Sequence, residues 1–161
     1  MLWIRAFLFT VLAPGLLGVA VPLAIIGPTQ LAGGPWNIAW IMIAAGTAIY
    51  VQCLLRFIAA NGTPAIFFSR PLRLVIGEEP SQLIKAGPYR YSRNPMYVAV
   101  GLVIFGQAAL FRSLDVTMYG LGLWLVFHLI VVLLEEPHLR AREGAAYDSY
   151  CRTTPRWLKL W

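Results

Sequence analysis

Residues 36–57 read WNIAWIMIAAGTAIYVQCLLRF, and Arg56 is the only charged side chain in this stretch. A helix of about twenty apolar residues is long enough to cross the hydrocarbon core of a membrane. Backbone groups in lipid must be satisfied within their own segment, which favours helices over open strands. Three further apolar runs extend over Phe7–Ile26, Met96–Phe111 and Val116–Leu134. The sequence therefore predicts one all-α integral membrane domain, 1–161, built as a bundle of about four transmembrane helices.

The composition and the placement of charge indicate a multi-pass membrane protein. The 161 residues are 59% hydrophobic and 12% charged, with a net charge of +6. Counting Arg56, six basic residues lie between the second and third runs and five lie in the C-terminal tail, whereas 27–35 carries none. Because basic residues accumulate on the cytoplasmic side, this bias places both termini and the long central loop in the cytoplasm. The same bias explains the net charge, so we expect no nucleic-acid partner.

The segments outside the apolar runs have patterns of their own. Two apolar patches in the central loop, at 65–68 and 72–76, indicate an interfacial segment that lies along the membrane surface. The tail from Glu135 to Tyr150 is predicted to form a C-terminal helix, which Gly144 weakens. By their spacing, three residues share one face of this helix, namely Leu139, Ala146 and Tyr150.

A first polar constellation lies where the central loop enters the third apolar run, with the sequence GPYRYSRNPMY at 87–97. A structural interpretation accounts for much of it. Gly-Pro favours a turn, Asn94 is a typical helix N-cap and Pro95 is a typical first helical residue. The tyrosines and arginines suit a membrane boundary that faces the cytoplasm. A binding role for these residues stays open beside the structural one.

A second constellation begins where the fourth apolar run ends, with the adjacent carboxylates Glu135 and Glu136. Carboxylates at that depth are costly unless they are paired, hydrated or used in function. In the structural interpretation they pair with the loop arginines, and Pro137 starts the tail helix. The tail continues with aromatic and basic residues, which are Tyr147, Tyr150, Arg152, Arg156 and Trp157.

Together the two constellations carry the groups that a zwitterionic, aromatic ligand requires. S-adenosylmethionine offers a carboxylate to arginine, an ammonium group and ribose hydroxyls to glutamate, and a sulfonium to tyrosine faces. We expect no metal, because Glu135 and His138 form one helical ligand pair and di-metal carboxylate sites need two. His128, inside a run, is expected to pack or to hydrogen-bond. Cys53 and Cys151 are expected as free thiols without a base partner, so no nucleophilic triad is predicted.

The stretch 87–97 resembles the pattern G-P-Y-R-x-x-R-[HN]-P-x-Y, which is shared by the isoprenylcysteine carboxyl methyltransferase and phospholipid methyltransferase superfamily. The Glu135–Glu136 pair and the Pro155–Trp157 stretch of the tail also match that superfamily. Gly62–Ala65 is similar to its bacterial branch. The resemblance extends, in order and at plausible spacing, over residues 60–158.

The resemblance implies a methyltransferase that uses S-adenosylmethionine. It divides the chain into an N-terminal two-helix membrane part, 1–60, and a cofactor-binding core, 61–161, and it implies a hydrophobic acceptor that approaches between helices from the surrounding membrane lipids. From their places in the motifs, the cofactor contacts are Tyr89, Arg90, Tyr91, Arg93, Asn94, Pro95, Tyr97, Glu135, Glu136 and Tyr147. The expected catalytic residues are Arg156, Glu136 and Arg152, with an arginine orienting the acceptor.

Two departures from the superfamily pattern bear on this expectation. Asn94 stands where many relatives have histidine, which affects the cofactor contacts. Residues 77–82 look like an addition to the loop that closes the site, which affects the choice of substrate.

The chemistry of the acceptor remains open between three groups. A carboxylate or thiolate acceptor needs no general base, whereas an amine acceptor would give its proton to Glu135 or Glu136. The expected location is a bacterial inner membrane. The alternatives are a non-catalytic membrane scaffold or a small-solute transporter, and polar residues deep in the runs are scarce for a transporter.

Overall fold

The computed structural model of the protein describes residues 2–28, 33–64, 79–80 and 82–158. Within them lie five helices, α1 (Leu2–Ile26), α2 (Trp36–Ala59), α3 (Pro95–Phe111), α4 (Leu114–Glu143) and α5 (Ala145–Thr153). A short 3-10 turn, Gly87–Arg90, precedes α3. These residues contain no strand, so the predicted all-α architecture is confirmed.

Three of the helices, α1, α2 and α4, are long and apolar enough to cross a membrane. The fourth apolar helix, α3, has 17 residues and begins at Pro95, one position before the predicted run. Its length of about 26 Å is less than the roughly 30 Å of a hydrocarbon core. Arg112 ends α3 with a left-handed backbone (φ 49°) before α4 starts. The membrane bundle is as predicted, with a short third helix.

The tail helix differs from its prediction. α4 continues through Pro137 to Glu143, so this proline lies inside a continuous helix and does not start a new one. Gly144 then breaks the helix with a φ of 55°, which glycine adopts at little steric cost. α5 begins after the break and buries Tyr147 and Tyr150, while Ala146 is exposed. The face predicted to run from Leu139 through Ala146 to Tyr150 is therefore wrong.

Two helices contain π-helical turns, and a proline accompanies each. α1 is π-helical over Val11–Ala20 around Pro14, and α4 is π-helical over Val131–Glu135, which ends two residues before Pro137. Proline lacks an N–H, and its ring clashes with the carbonyl four residues earlier, so a wider turn relieves the strain. In α1 the wider turn leaves backbone carbonyls that accept hydrogen bonds from other helices. In α4 the wider turn ends at Glu135, the first residue of the glutamate pair.

α2 packs against α3 more extensively than any other pair of described helices. Glycines allow this approach: a Cβ on Gly46 would lie 2.6 Å from the carbonyl oxygen of Ala99. A Cβ on Gly106 would lie 2.7 Å from Ile43 Cγ1. Small residues at a crossing let membrane helices gain close van der Waals contact. The α2–α3 pair therefore forms a closely packed support for the loop that enters α3.

The helices share a buried apolar core, made of Ile26, Val100, Ile104, Ala108, Val116 and Phe127. Hydrogen bonds join α1 to this core. The N–H of Val21 bonds to the Leu16 carbonyl, so in this register the next carbonyl, Leu17, faces Pro22, which has no N–H. The hydroxyl of Tyr119 donates to the Leu17 carbonyl at 2.8 Å instead. α4 thus supplies the donor that proline removes from α1.

Two further expectations from the sequence concern the central loop and the cysteines. The predicted surface patches at 65–68 and 72–76 lie outside the described residues, and of 77–82 only Glu79, Pro80 and Gln82 are described. Cys53 and Cys151 are free thiols, as predicted.

Candidate active site

A cavity of about 400 Å³ lies among the five helices and the loop that leads into α3. Its apolar lining comes from four helices and includes Phe9, Ala13, Leu17, Phe57, Val100, Phe127 and Ile130. Its polar lining includes Glu79, Arg93, Asn94, Glu135, His138, Arg142 and Tyr147. Along α4 the lining passes from Phe127 to Arg142, a rise of about 22 Å. The cavity therefore has an apolar end and a polar end.

The adjacent glutamates face different surroundings, because neighbouring residues on a helix point about 100° apart. Glu135 lines the cavity and accepts a short hydrogen bond from the hydroxyl of Tyr97 on α3. Tyr97 in turn packs on Phe127 of α4, with ring centroids 4.6 Å apart. Both predicted cofactor contacts are thus held together at the polar end.

Glu136 is buried, with 7% of its surface exposed, and does not line the cavity. Arg156 binds it with two hydrogen bonds, from Nε at 2.7 Å and from Nη2 at 3.0 Å. Arg93 Nη1 lies 3.0 Å from the same carboxylate. Two guanidinium groups offset the burial of one carboxylate. The predicted pairing of the acidic residues with arginines therefore holds for Glu136, and it joins α4 to both the loop and the tail.

Arg93 connects this ion pair to the cavity, which it lines. Its Nη1 donates to the Tyr147 hydroxyl at 3.2 Å and to Cys151 Sγ at 2.8 Å. Burial raises the pKa of Tyr147 to about 12, so its phenol is neutral at physiological pH. The Nε of Arg93 is buried and has no hydrogen-bond partner among the described residues.

Hydrogen bonds from the loop before α3 to backbone carbonyls of the tail join these two segments. The side-chain amide of Asn94 donates to the Arg156 carbonyl at 2.9 Å, and Arg93 N–H donates to the Pro155 carbonyl at 2.9 Å. Asn94 occupies the N-cap position of α3, but its side chain makes no capping bond. Ser92 Oγ accepts the Asn94 N–H at 3.0 Å instead. The expected side-chain cap at Asn94 is wrong because this amide binds the tail.

An aromatic cluster fixes the end of the tail against α4. The rings of Trp157 and Trp124 have centroids 4.5 Å apart. Trp157 Nε1 donates to His128 Nδ1 at 3.3 Å. His128 therefore packs and hydrogen-bonds, as expected from the sequence.

Glu79 lines the site but was not predicted from the sequence. Its carboxylate pairs with Arg142 and lies 3.1 Å from His138 Nε2. These two contacts join the loop before α3 to the end of α4. The signal available in the sequence was an acidic residue next to Pro80 in a loop otherwise rich in arginine. His138 is thus bound to Glu79. In the described ranges, no group of three potential metal ligands occurs.

The other residues predicted from the sequence have different environments. Tyr89 lines the cavity, and its carbonyl accepts a 2.6 Å hydrogen bond from the Tyr150 hydroxyl. Pro95 is buried at the start of α3. Three side chains are exposed and do not line the cavity, namely Arg90, Tyr91 and Arg152. Glu136 and Arg156 also lie outside its lining, although they hold residues that form it.

The sequence matches the profile of a known family. The sequence profile described as phospholipid methyltransferase matches residues 40–142, which is more than half of the chain. The chain belongs to the phospholipid methyltransferase family. The description of the profile names methyl transfer to phospholipids as the activity of the family. In this family member the match covers α2, α3 and nearly all of α4, including the glutamate pair, and it leaves α1 and α5 outside.

One curated relative is similar to part of this phospholipid methyltransferase family member. It is the nickel-cobalt-cadmium resistance protein NccN of Alcaligenes xylosoxydans xylosoxydans, 32% identical over 83 residues. The aligned region is 50% of this chain and 38% of that relative, so this chain spans well under half of the relative's length. No solved structure matches.

Proposed function

We propose that this family member transfers a methyl group from S-adenosylmethionine to a lipid or another small acceptor that partitions into the membrane. The observation that carries the proposal is the cavity with two ends, where ionisable side chains adjoin an apolar space between helices. A cofactor with charged groups suits the polar end, and an acceptor dissolved in lipid suits the apolar end.

The side chains at the polar end of the cavity offer hydrogen-bond donors and acceptors that match the polar groups of S-adenosylmethionine. Glu135 offers a carboxylate to an ammonium group or to ribose hydroxyls, and Arg142 offers a cation to a carboxylate. The rings of Tyr89, Tyr97 and Tyr147 offer faces to a sulfonium or an adenine. The cavity volume of about 400 Å³ lies within the range of small-molecule sites.

When bound, S-adenosylmethionine supplies a methyl group whose bonding electron pair stays on the departing sulfur, while the acceptor's lone pair forms the new bond. The protein's own part is to align the two reactants and to exclude water. Glu135 takes the proton if the acceptor is an amine, and no base acts if it is a carboxylate or thiolate. We assign Glu136 and Arg156 to positioning, because their ion pair holds Arg93 at the cavity wall.

The site is assigned to the cytoplasmic face, and both termini to the same side, of a bacterial inner membrane. The cofactor is a cytosolic compound, so its site must open toward the cytosol. The basic residues of the central loop and the tail favour the same orientation. Arg152 lies exposed on α5, and its role in orienting an acceptor stays a prediction.

Calorimetric titration of S-adenosylmethionine into the detergent-purified protein tests the proposal. We expect Glu135→Gln to weaken binding by about ten- to a hundredfold, because hydrogen bonds to a charged group contribute about 1.5–3 kcal/mol. The matched control is Asp148→Asn, which removes one negative charge from an exposed ion pair with Arg140 on the same side of the bundle. It should bind as the wild type does.

A transfer assay completes this test. The protein is incubated with a bacterial membrane-lipid extract and methyl-tritiated S-adenosylmethionine, and we expect label in the organic phase. A folded, monodisperse wild type that neither binds the cofactor nor labels the extract would contradict the proposal and favour the non-catalytic scaffold.

A further inference from the structure

α1 contributes to the cavity although it lies outside the family match. Phe9, Ala13, Pro14 and Leu17 all line the cavity, and the match begins only at residue 40. The polar end is built mostly within the matched region. The part of the cavity that holds a hydrophobic acceptor is thus completed by a helix that the family profile does not include.

The wall that α1 forms is fixed in position. Its π-helical turn contains both Ala13 and Leu17. Gln107 Nε2 donates to the Gly18 carbonyl at 2.7 Å, and the Tyr119 hydroxyl donates to the Leu17 carbonyl at 2.8 Å. A Cβ placed on Gly18 would lie 3.2 Å from Val100 Cγ1, so α1 approaches α3 closely at this level. These contacts hold Leu17 opposite the cavity linings of α3 and α4.

Side chains from several helices meet at the apolar end. Leu17 shares the lining with Val100 of α3 and Phe127 of α4. Its neighbour Leu16 instead has 50% of its surface exposed and faces away from the bundle. Apolar side chains with fixed backbones leave a space whose depth depends on their size. A hydrocarbon chain suits such a space, and its fit depends on the size of the side chains that line it.

We propose that the π-helical turn of α1, through Ala13 and Leu17, sets which hydrocarbon chain the methyl acceptor can carry. The inference rests on the proposed function and names the acceptor class, an amphiphile with its reactive group at one end of a hydrocarbon chain. The chain lies against α1, and the reactive group lies toward Glu135. Leu17 and Ala13 are therefore specificity-determining residues.

Photo-crosslinking tests this inference by binding rather than by turnover. The wild-type protein in phosphatidylcholine nanodiscs is exposed to three sixteen-carbon probes with a diazirine at the chain end and an amine, a thiol or a carboxylic acid at the other. We expect label on the α1 part of the tryptic peptide 6–56 that excess unlabelled probe displaces for at least one head group. Labelling from bulk lipid would not be displaced.

Matched substitutions locate the chain. Leu17→Trp should lower the displaceable label about tenfold, because filling a packed apolar space is strongly unfavourable, whereas Leu16→Trp should leave it within twofold. Ala13→Phe is the second cavity variant, used if Leu17→Trp fails to elute as a single folded species. No displaceable label with any probe, an undiminished label in the folded cavity variant, or an equal loss in Leu16→Trp would overturn the inference.

Calorimetry separates this inference from the proposed function. The wild-type protein used for labelling is titrated with S-adenosylmethionine in parallel, and Leu16→Trp, which changes an exposed side chain outside the cavity lining, should bind the cofactor as the wild type does. Normal cofactor binding with a failed labelling result would remove the role of α1 and leave the methyltransferase proposal standing. Absent cofactor binding in the wild type would contradict the proposed function itself.

Discussion

A buried ion pair holds the polar end of the cavity, whereas neutral side chains that donate to backbone carbonyls hold the apolar end. At the polar end Glu136 joins Arg93 and Arg156. At the apolar end Tyr119 and Gln107 bind the π-helical turn of α1. Removing one member of a buried ion pair leaves an uncompensated charge, whereas removing one neutral donor leaves a single carbonyl. The two ends should therefore differ in their sensitivity to substitution.

The largest effect is expected at Glu136. Glu136→Gln keeps the side-chain volume but leaves two arginines without their carboxylate, so we expect a loss of about 3 kcal/mol of stability. Thermal unfolding in detergent measures it as a lower Tm. Asp148→Asn breaks an exposed ion pair and should change stability by about 0.5 kcal/mol or less. Equal shifts in the two variants would show that the buried pair contributes no more than the exposed one.

Arg156 sharpens the same point, because it binds Glu136 through two atoms of its planar group. Arg156→Ala should destabilise the protein by about 2 kcal/mol, since Arg93 still compensates the carboxylate. Arg156→Lys restores the charge but not the two parallel bonds, so its Tm should lie between those of Arg156→Ala and the wild type. If Arg156→Lys is as stable as the wild type, the two parallel hydrogen bonds of Arg156 contribute nothing to stability beyond its charge.

A smaller effect is expected at the apolar end. Tyr119→Phe removes the donor to the Leu17 carbonyl and should lower stability by about 1 kcal/mol. The control is Thr47→Val, because the Thr47 hydroxyl binds only the carbonyl of Ile43 on its own helix and is exposed. That variant should have the same Tm as the wild type. If Tyr119→Phe also does so, the π-helical turn does not depend on α4.

The smallest effect is expected at Arg152, which lies exposed on α5. Arg152→Ala should change stability by less than about 0.5 kcal/mol. The same variant tests the catalytic role predicted from its place in the tail. Unchanged methyl transfer in the organic-phase assay would limit the functional arginines to those near Glu136.

Hydropathy predicted the spans well because the requirement for about twenty apolar residues is set by the membrane itself. The glutamate pair also stood out, since charges directly after an apolar run need partners. Which glutamate faced the cavity could not be predicted, because the π-helical turn at Val131–Glu135 alters the angular spacing next to the pair. The first 60 residues were treated as a separate membrane part, and no polar residue in them signalled that α1 lines the cavity.

The loop and the tail illustrate a second limit. Asn94 was a sound N-cap by local preference, yet its amide binds the Arg156 carbonyl 62 positions away. Gly144 was expected only to weaken a helix, but it breaks the helix because its backbone adopts a positive φ. The outcome at Asn94 depends on a tertiary contact that local sequence patterns do not contain, whereas a glycine that ends a helix is a local signal.

The central claim is that the cofactor lies at the polar end of this cavity, and ultraviolet cross-linking of tritiated S-adenosylmethionine tests it most directly. Tryptic fragments separate three tyrosines, with Tyr97 in 94–112, Tyr147 in 143–152 and Tyr91 in 91–93. The account predicts label on the fragments with Tyr97 or Tyr147, which line the cavity. Label confined to the exposed Tyr91, with none on the cavity tyrosines, would contradict it.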